Sequence, residues 1–239
     1  MLFDERGTGR PFLLLHGGAG PASVTAFADR LAASGPARVI TPTHPGFNGT
    51  PTEVTTIPQL AALYAELLDK LDLDDVTVIG NSIGGWIAAE LALLHPRRAG
   101  RFILVDAVGI DVPDHPAADF FNLTMPQVVE LSWADPTRFT PPPADPQTMA
   151  ANRKTLQMYA GDPSMIDPTL RPRLSAITHP TLVVWGEADR IVDVDYGREF
   201  AAAIPGAEFR PLPNTGHLPQ LESPELLLAA VREFAATAE

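Results

Sequence analysis

Short runs of apolar and β-branched residues alternate along the chain with longer stretches in which apolar residues recur every three or four positions. The runs are residues 11–15, 39–40, 76–79, 102–105, 181–185 and 208–212. All but the two-residue run 39–40 are of strand length. The helical stretches are 22–33, 58–71, 85–94, 194–203 and 224–236. In the second of these, Leu60, Leu63, Tyr64, Leu67, Leu68 and Leu71 form one apolar stripe, and Pro58 sits in the first turn, where its missing N–H does no harm. Strands apolar on both faces, alternating with helices, predict an α/β fold: a mostly parallel central sheet with helices on both faces. Residues 1–10, punctuated by Gly7 and Gly9, predict a brief edge strand and a turn.

Residues 109–176 break the rhythm. They are rich in proline, including Pro141-Pro142-Pro143, and read as short helices and loops. A structureless loop of this length is unusual inside a compact domain, so the segment is expected to form a small helical cap on a core made of 1–108 and 177–239. The 239 residues suit one such domain, and 45% hydrophobic content supplies a large core.

The formal charge of −12 repels phosphate backbones and argues against nucleic acid as a partner. No run is long and apolar enough to span a membrane, and no basic segment followed by an apolar one opens the chain, so a cytoplasmic protein without membrane contact is expected. The absence of cysteine removes disulfides, thiolate nucleophiles and cysteine-based metal sites; no metal or cofactor is called for.

The candidate chemistry starts at Gly80-Asn81-Ser82-Ile83-Gly84, between a strand and a helix. Gly-x-Ser-x-Gly in that setting describes a sharp, strained turn that pushes the serine hydroxyl out of the sheet. The glycines answer a strand and helix that pass too close for a Cβ. A serine hydroxyl needs a base, itself oriented by a third group. Of six histidines, His44, His95, His115 and His179 lie beside prolines in turn-like sequence and His16 opens a Gly-rich loop; His217 follows the last strand, on the strand-end edge that Ser82 shares. The third group should be a carboxylate on that edge. Asp189, after the strand 181–185, is the choice; Asp106, at the end of the strand 102–105, is its rival.

The order Ser82, Asp189, His217, with His16-Gly17-Gly18 after an early strand, resembles the α/β-hydrolase family over nearly the whole chain except the cap. The resemblance implies Ser82 as nucleophile, His217 as base, Asp189 as its orienter, and an oxyanion hole from the backbone N–H of Ile83 and of Gly18, with Ala19 as the neighbouring alternative to Gly18. Two departures stand out. The N-terminal residues supply only part of the usual first strands, so seven strands are expected instead of eight, and the loop after 39–40 reads Thr41-Pro42-Thr43-His44-Pro45-Gly46 where the family often has an aspartate.

For the substrate, the cap contributes Phe120, Phe121, Met125, Trp133, Phe139 and Met158 as candidate pocket walls, while Trp86 reads as core. Lysine occurs only at Lys70 and Lys154, and no basic cluster is evident. A small neutral, largely apolar carboxylic ester or lactone is the expected substrate. The elbow also resembles that of carbon–carbon bond hydrolases of ring-fission dienoates, although those usually carry tryptophan where this chain has Leu218. Members with this triad can also show cofactor-free haloperoxidase side activity. A non-catalytic protein of the same fold that binds a small ligand is the reading from a different class.

Overall fold

The computed structural model describes residues 1–138, 146–161 and 165–236. Seven strands form one sheet in the order β1-β3-β2-β4-β5-β6-β7. They are β1 (Phe3–Gly7), β2 (Arg10–Leu15), β3 (Ala37–Pro42), β4 (Val76–Asn81), β5 (Ala99–Val105), β6 (Thr181–Gly186) and β7 (Glu208–Leu212). Only β1 runs antiparallel, against β3; every other neighbouring pair is parallel. The margins are polar: β1 carries Asp4, Glu5 and Arg6, and β7 carries Arg210 and Pro211.

Period-two alternation divides each inner strand between two cores. Leu13, Val78, Leu104, Val183 and Trp185 face one side, under α2 (Ile57–Lys70), α3 (Ile83–Leu93) and α7 (Val194–Ala202). Leu14, Ile79, Ile103, Val105 and Val184 face the other, under α1 (Ala22–Ala33) and α9 (Pro224–Ala236). Helix α3 is buried from Ile83 to Ala92, in keeping with its apolar residues on every side. On α2 the stripe is buried at Leu60, Tyr64, Leu67 and Leu68 and half-buried at Leu63 and Leu71.

Between β5 and β6 lie α4 (Met125–Ser132), α5 (Pro146–Ala160) and α6 (Leu170–Arg173), with single 3₁₀ turns at Phe120–Asn122, Pro136–Arg138 and Leu174–Ala176. The ends of this excursion pack with the sheet: Ile110, Val112, Leu170 and Leu174 all join the first core. The four-residue helix α8 (Pro219–Glu222) follows directly on His217.

The chain steps outward from β2 to β3, then crosses back over β2 to β4 and continues the other way. Strand order therefore reverses between β2 and β4, and the ends of these two strands diverge into the crevice where ligands bind in open parallel sheets. No helix among the described residues is long and apolar enough to cross a membrane.

Candidate active site

Ser82 stands at the end of β4 with φ 56° and ψ −118°, a left-handed backbone that a non-glycine residue adopts at a cost. The turn closes because its flanks lack side chains. A Cβ on Gly80 would lie 2.1 Å from the Gly84 carbonyl oxygen, so strand and helix do pass too close there. At Gly84 the obstruction is different: its Cβ would lie 2.4 Å from the Leu15 carbonyl oxygen, at the end of β2.

The Ser82 hydroxyl donates to His217 Nε2 at 2.9 Å, and His217 Nδ1–H donates to Asp189 Oδ2 at 2.7 Å. A carboxylate only accepts, which fixes this tautomer. Asp189 Oδ1 accepts from the amides of Ile191 (2.8 Å) and Val192 (3.2 Å). All three side chains are buried, and Ser82 and His217 face a cavity of about 780 Å³. Asp106, the rival carboxylate, does not reach the imidazole by a hydrogen bond; its Oδ1 accepts the Gly186 N–H at 2.8 Å instead.

The loop bearing His217 is tied to the excursion. The His217 amide donates to the Ser132 carbonyl at 2.7 Å, and Glu222 on α8 accepts from the amides of Gly216 (2.6 Å) and Ala134 (3.0 Å). Asn81 donates to the His217 carbonyl at 3.1 Å and accepts from Gln220 at 3.1 Å.

The Ile83 amide opens α3, where a helix offers no internal acceptor, and its side chain is buried in the core. Gly18 and Ala19 line the cavity with Ser82. The approach is tight: a Cβ on Gly17 would lie 3.2 Å from the Ser82 Cβ. Behind this loop, the His44 amide donates to His16 Nε2 at 3.1 Å, so the His16 Nδ1–H donates to the Gly17 carbonyl at 2.7 Å. His44 Nε2–H donates to the His16 carbonyl at 2.8 Å, and its Nδ1 accepts from the Tyr64 hydroxyl. Burial holds both imidazoles uncharged, with His44 lowered to about 4 and His16, also repelled by His44, well below its ordinary value. Both histidines, His16 known from sequence only as the start of the His-Gly-Gly stretch and His44 only as a turn residue, fix the loop that carries Gly18.

Of the predicted wall residues, Phe120, Met125 and Trp133 line the cavity. Phe121 does not. Successive residues of a 3₁₀ turn point about 120° apart, and although both rings pack against the core, it is Phe120 that also reaches the cavity. Met158 is also off the wall, 38% exposed. Helix α5 turns Met149, Arg153 and Leu156 inward at three- and four-residue spacing, and Met158 falls on the opposite face. Phe139 lies outside the described residues. Sequence reading did not single out Arg153, a cation on a mostly apolar wall that also carries Asn48, Thr148 and Asn152, whose Nη2 donates to the carbonyls of Phe120, Phe121 and Leu123. Trp86 is core, as expected.

Among the described residues, one group of carboxylate and imidazole atoms lies within 4.8 Å of one another, that of Asp106, Asp189 and His217. Two of the three are already joined through a proton, so the donor set suits acid–base work.

The chain matches the alpha/beta hydrolase family model over residues 12–230. It is 28% identical over 259 residues to the 2-hydroxy-6-oxo-6-phenylhexa-2,4-dienoate hydrolase of Burkholderia cepacia, covering 98% of this chain and 90% of that one. A thermophilic esterase from Thermogutta terrifontis superposes with TM-score 0.73 at 26% identity, covering 98% and 92%. Est816, described as an N-acyl homoserine lactone degrading enzyme, superposes with TM-score 0.73 at 26% identity, covering 98% and 96%. By sequence family and by fold, this chain is a member of the alpha/beta hydrolase family.

Proposed function

We propose that the protein is a serine hydrolase that cleaves a small neutral, largely apolar carboxylic ester or lactone through an acyl-enzyme. The observation that carries this reading is the continuous hydrogen-bonded chain Ser82–His217–Asp189, open on its serine side to a cavity with mostly apolar walls. The likeness to an esterase and to a lactone-degrading enzyme supports the same bond class.

In this mechanism Ser82 Oγ attacks the carbonyl while His217 Nε2 takes its proton. Asp189, held by two amides and accepting from Nδ1, stabilises the imidazolium without becoming protonated. The amides of Ile83 and Gly18 receive the oxyanion, and losing one such donor costs about 3–4 kcal/mol of transition-state stabilisation. His217 then protonates the leaving alcohol and deprotonates the water that releases the acyl group. Residues 109–176 act as the cap over this site, with α4 and α5 as walls.

The test is hydrolysis of short-chain nitrophenyl esters by the protein and by Ser82→Ala. Activity in the former, reduced by about 10⁴-fold or more in the latter, is expected. Equal rates in both would overturn Ser82 as the nucleophile and support a non-catalytic binder of small ligands.

A second reading, carbon–carbon bond hydrolysis of an acidic dienoate, is favoured by Arg153. A guanidinium on a cavity wall is suited to a substrate carboxylate, and the Burkholderia relative is named for such a substrate. If this reading holds, Arg153→Gln raises KM for a dienoate by about tenfold or more while leaving neutral esters little changed, the loss expected for a charge-assisted hydrogen bond.

A further inference from the structure

The rival carboxylate is buried in an arrangement that acid–histidine pairing does not explain. Asp106 is fully buried. Its Oδ1 is occupied by the Gly186 amide, while its Oδ2, also buried, has no hydrogen-bond partner. An orphaned carboxylate oxygen is costly in a dry interior. Asp106 and Asp189 each present an oxygen within the 4.8 Å cluster that includes His217. Two carboxylates this close do not both ionise readily, and one keeps a proton.

Counting donors decides which. Asp189 receives three hydrogen bonds, from Ile191, Val192 and His217, and Asp106 receives one. Donors favour the ionised form, so the charge belongs on Asp189 and the proton on Asp106. The other charged neighbour of Asp106 is Glu222, which also accepts amide hydrogen bonds and adds negative field. Burial first, and then the Asp189 charge, push the Asp106 carboxyl well above the usual carboxylate range.

We propose that Asp106 is a positioning residue: a neutral carboxylic acid whose Oδ2–H donates a hydrogen bond to Asp189 and thereby sets how strongly Asp189 draws the proton of His217. The arrangement resolves both oddities, giving the orphaned oxygen a proton to donate and relieving the repulsion between the carboxyl groups. Its catalytic consequence rests on the acyl-transfer reading above. Because part of the Asp189 charge is engaged by Asp106, the pull of Asp189 on the His217 Nδ1 proton is tempered, which favours return of the Nε2 proton to the leaving group.

The test reads protonation directly and does not depend on hydrolysis. Infrared difference spectra at pH 7 should contain the carbonyl band of a buried neutral carboxylic acid, present in the parent protein and in Ser82→Ala and missing in Asp106→Asn. The His217 titration, followed by its imidazole resonances, supplies the second arm. Asp106→Asn keeps both a donor for Asp189 and an acceptor for Gly186, and should titrate close to the parent. Asp106→Ala removes the donor and should raise the His217 midpoint by about half a pH unit or more, as expected when an unshielded negative charge faces an imidazole. Absence of the neutral carboxyl band in the parent overturns the proposal. So does a His217 midpoint that Asp106→Ala leaves unmoved, or that both variants move alike. Should Asp106→Ala fail to fold, the infrared comparison decides alone. Failure of the hydrolase reading would appear separately, as ester hydrolysis insensitive to Ser82→Ala, with both protonation readouts intact.

Discussion

Ser82 holds its backbone in a region that costs an L-residue about 1–3 kcal/mol. The turn is held by the Ser82 amide bonded to the Val105 carbonyl (2.9 Å) and by the Ser82 carbonyl accepting from Gly85 and Trp86 (2.9 and 3.1 Å). Strain of this kind is released by removing the Cβ. Ser82→Gly should therefore be more stable than Ser82→Ala by about 1 kcal/mol in denaturant melts, although both lack the hydroxyl. Gly84 makes the converse case. Its substitution by alanine drives a Cβ against a backbone oxygen that cannot rotate away, and should cost about 3 kcal/mol of stability.

Elements meet at Glu90, which is buried on α3 and gripped by both terminal nitrogens of Arg173 on α6, at 2.8 and 2.6 Å. Arg173 also binds Asp167 at 2.9 Å. Removing the arginine strands a buried charge, so Arg173→Leu should cost about 3–5 kcal/mol, and adding Glu90→Leu should recover much of the loss. A double-mutant cycle by thermal unfolding measures this coupling. The elements were legible in the sequence where pattern was strong and local. The bounds of α1, β7 and α9 coincide with those expected: proline or glycine stands close to both ends of α1 and β7, and Ser223-Pro224 opens α9. β3 and β5 are longer than their apolar runs. Thr41 and Arg101 are buried in them despite their polarity, which no periodicity announces. Ser82, His217 and Asp189 were legible because each follows a strand end within a short glycine-containing motif. Arg153, Glu222 and Gln220 were not, since their partners are distant in sequence and only the folded chain brings them together.

At the scale of the whole molecule, the buried imidazoles couple folding to pH. His44 has a pKa of about 4 in the native protein and about 6.5 unfolded. Between these values the unfolded chain binds a proton that the native one refuses, so stability is complete above pH 6.5 and falls as the pH drops toward 4. The loss from His44 amounts to about 3 kcal/mol, and His16 acts in the same direction. Denaturant melts of the parent and of His44→Gln from pH 7 to 4 test this: the variant should start less stable and lose less on acidification.

The polar margins of the sheet have a consequence for crowded solutions. Unsatisfied main-chain groups along an edge strand are a template on which further chains can add, the first step toward fibres. The charges of β1 make stacking there repulsive, and on β7 Pro211 withdraws an N–H that an incoming strand would need. Replacing Arg210 and Pro211 by valine and threonine should therefore turn a self-limiting sheet into a sticky one, seen as concentration-dependent growth in light scattering while the cavity and its serine stay intact.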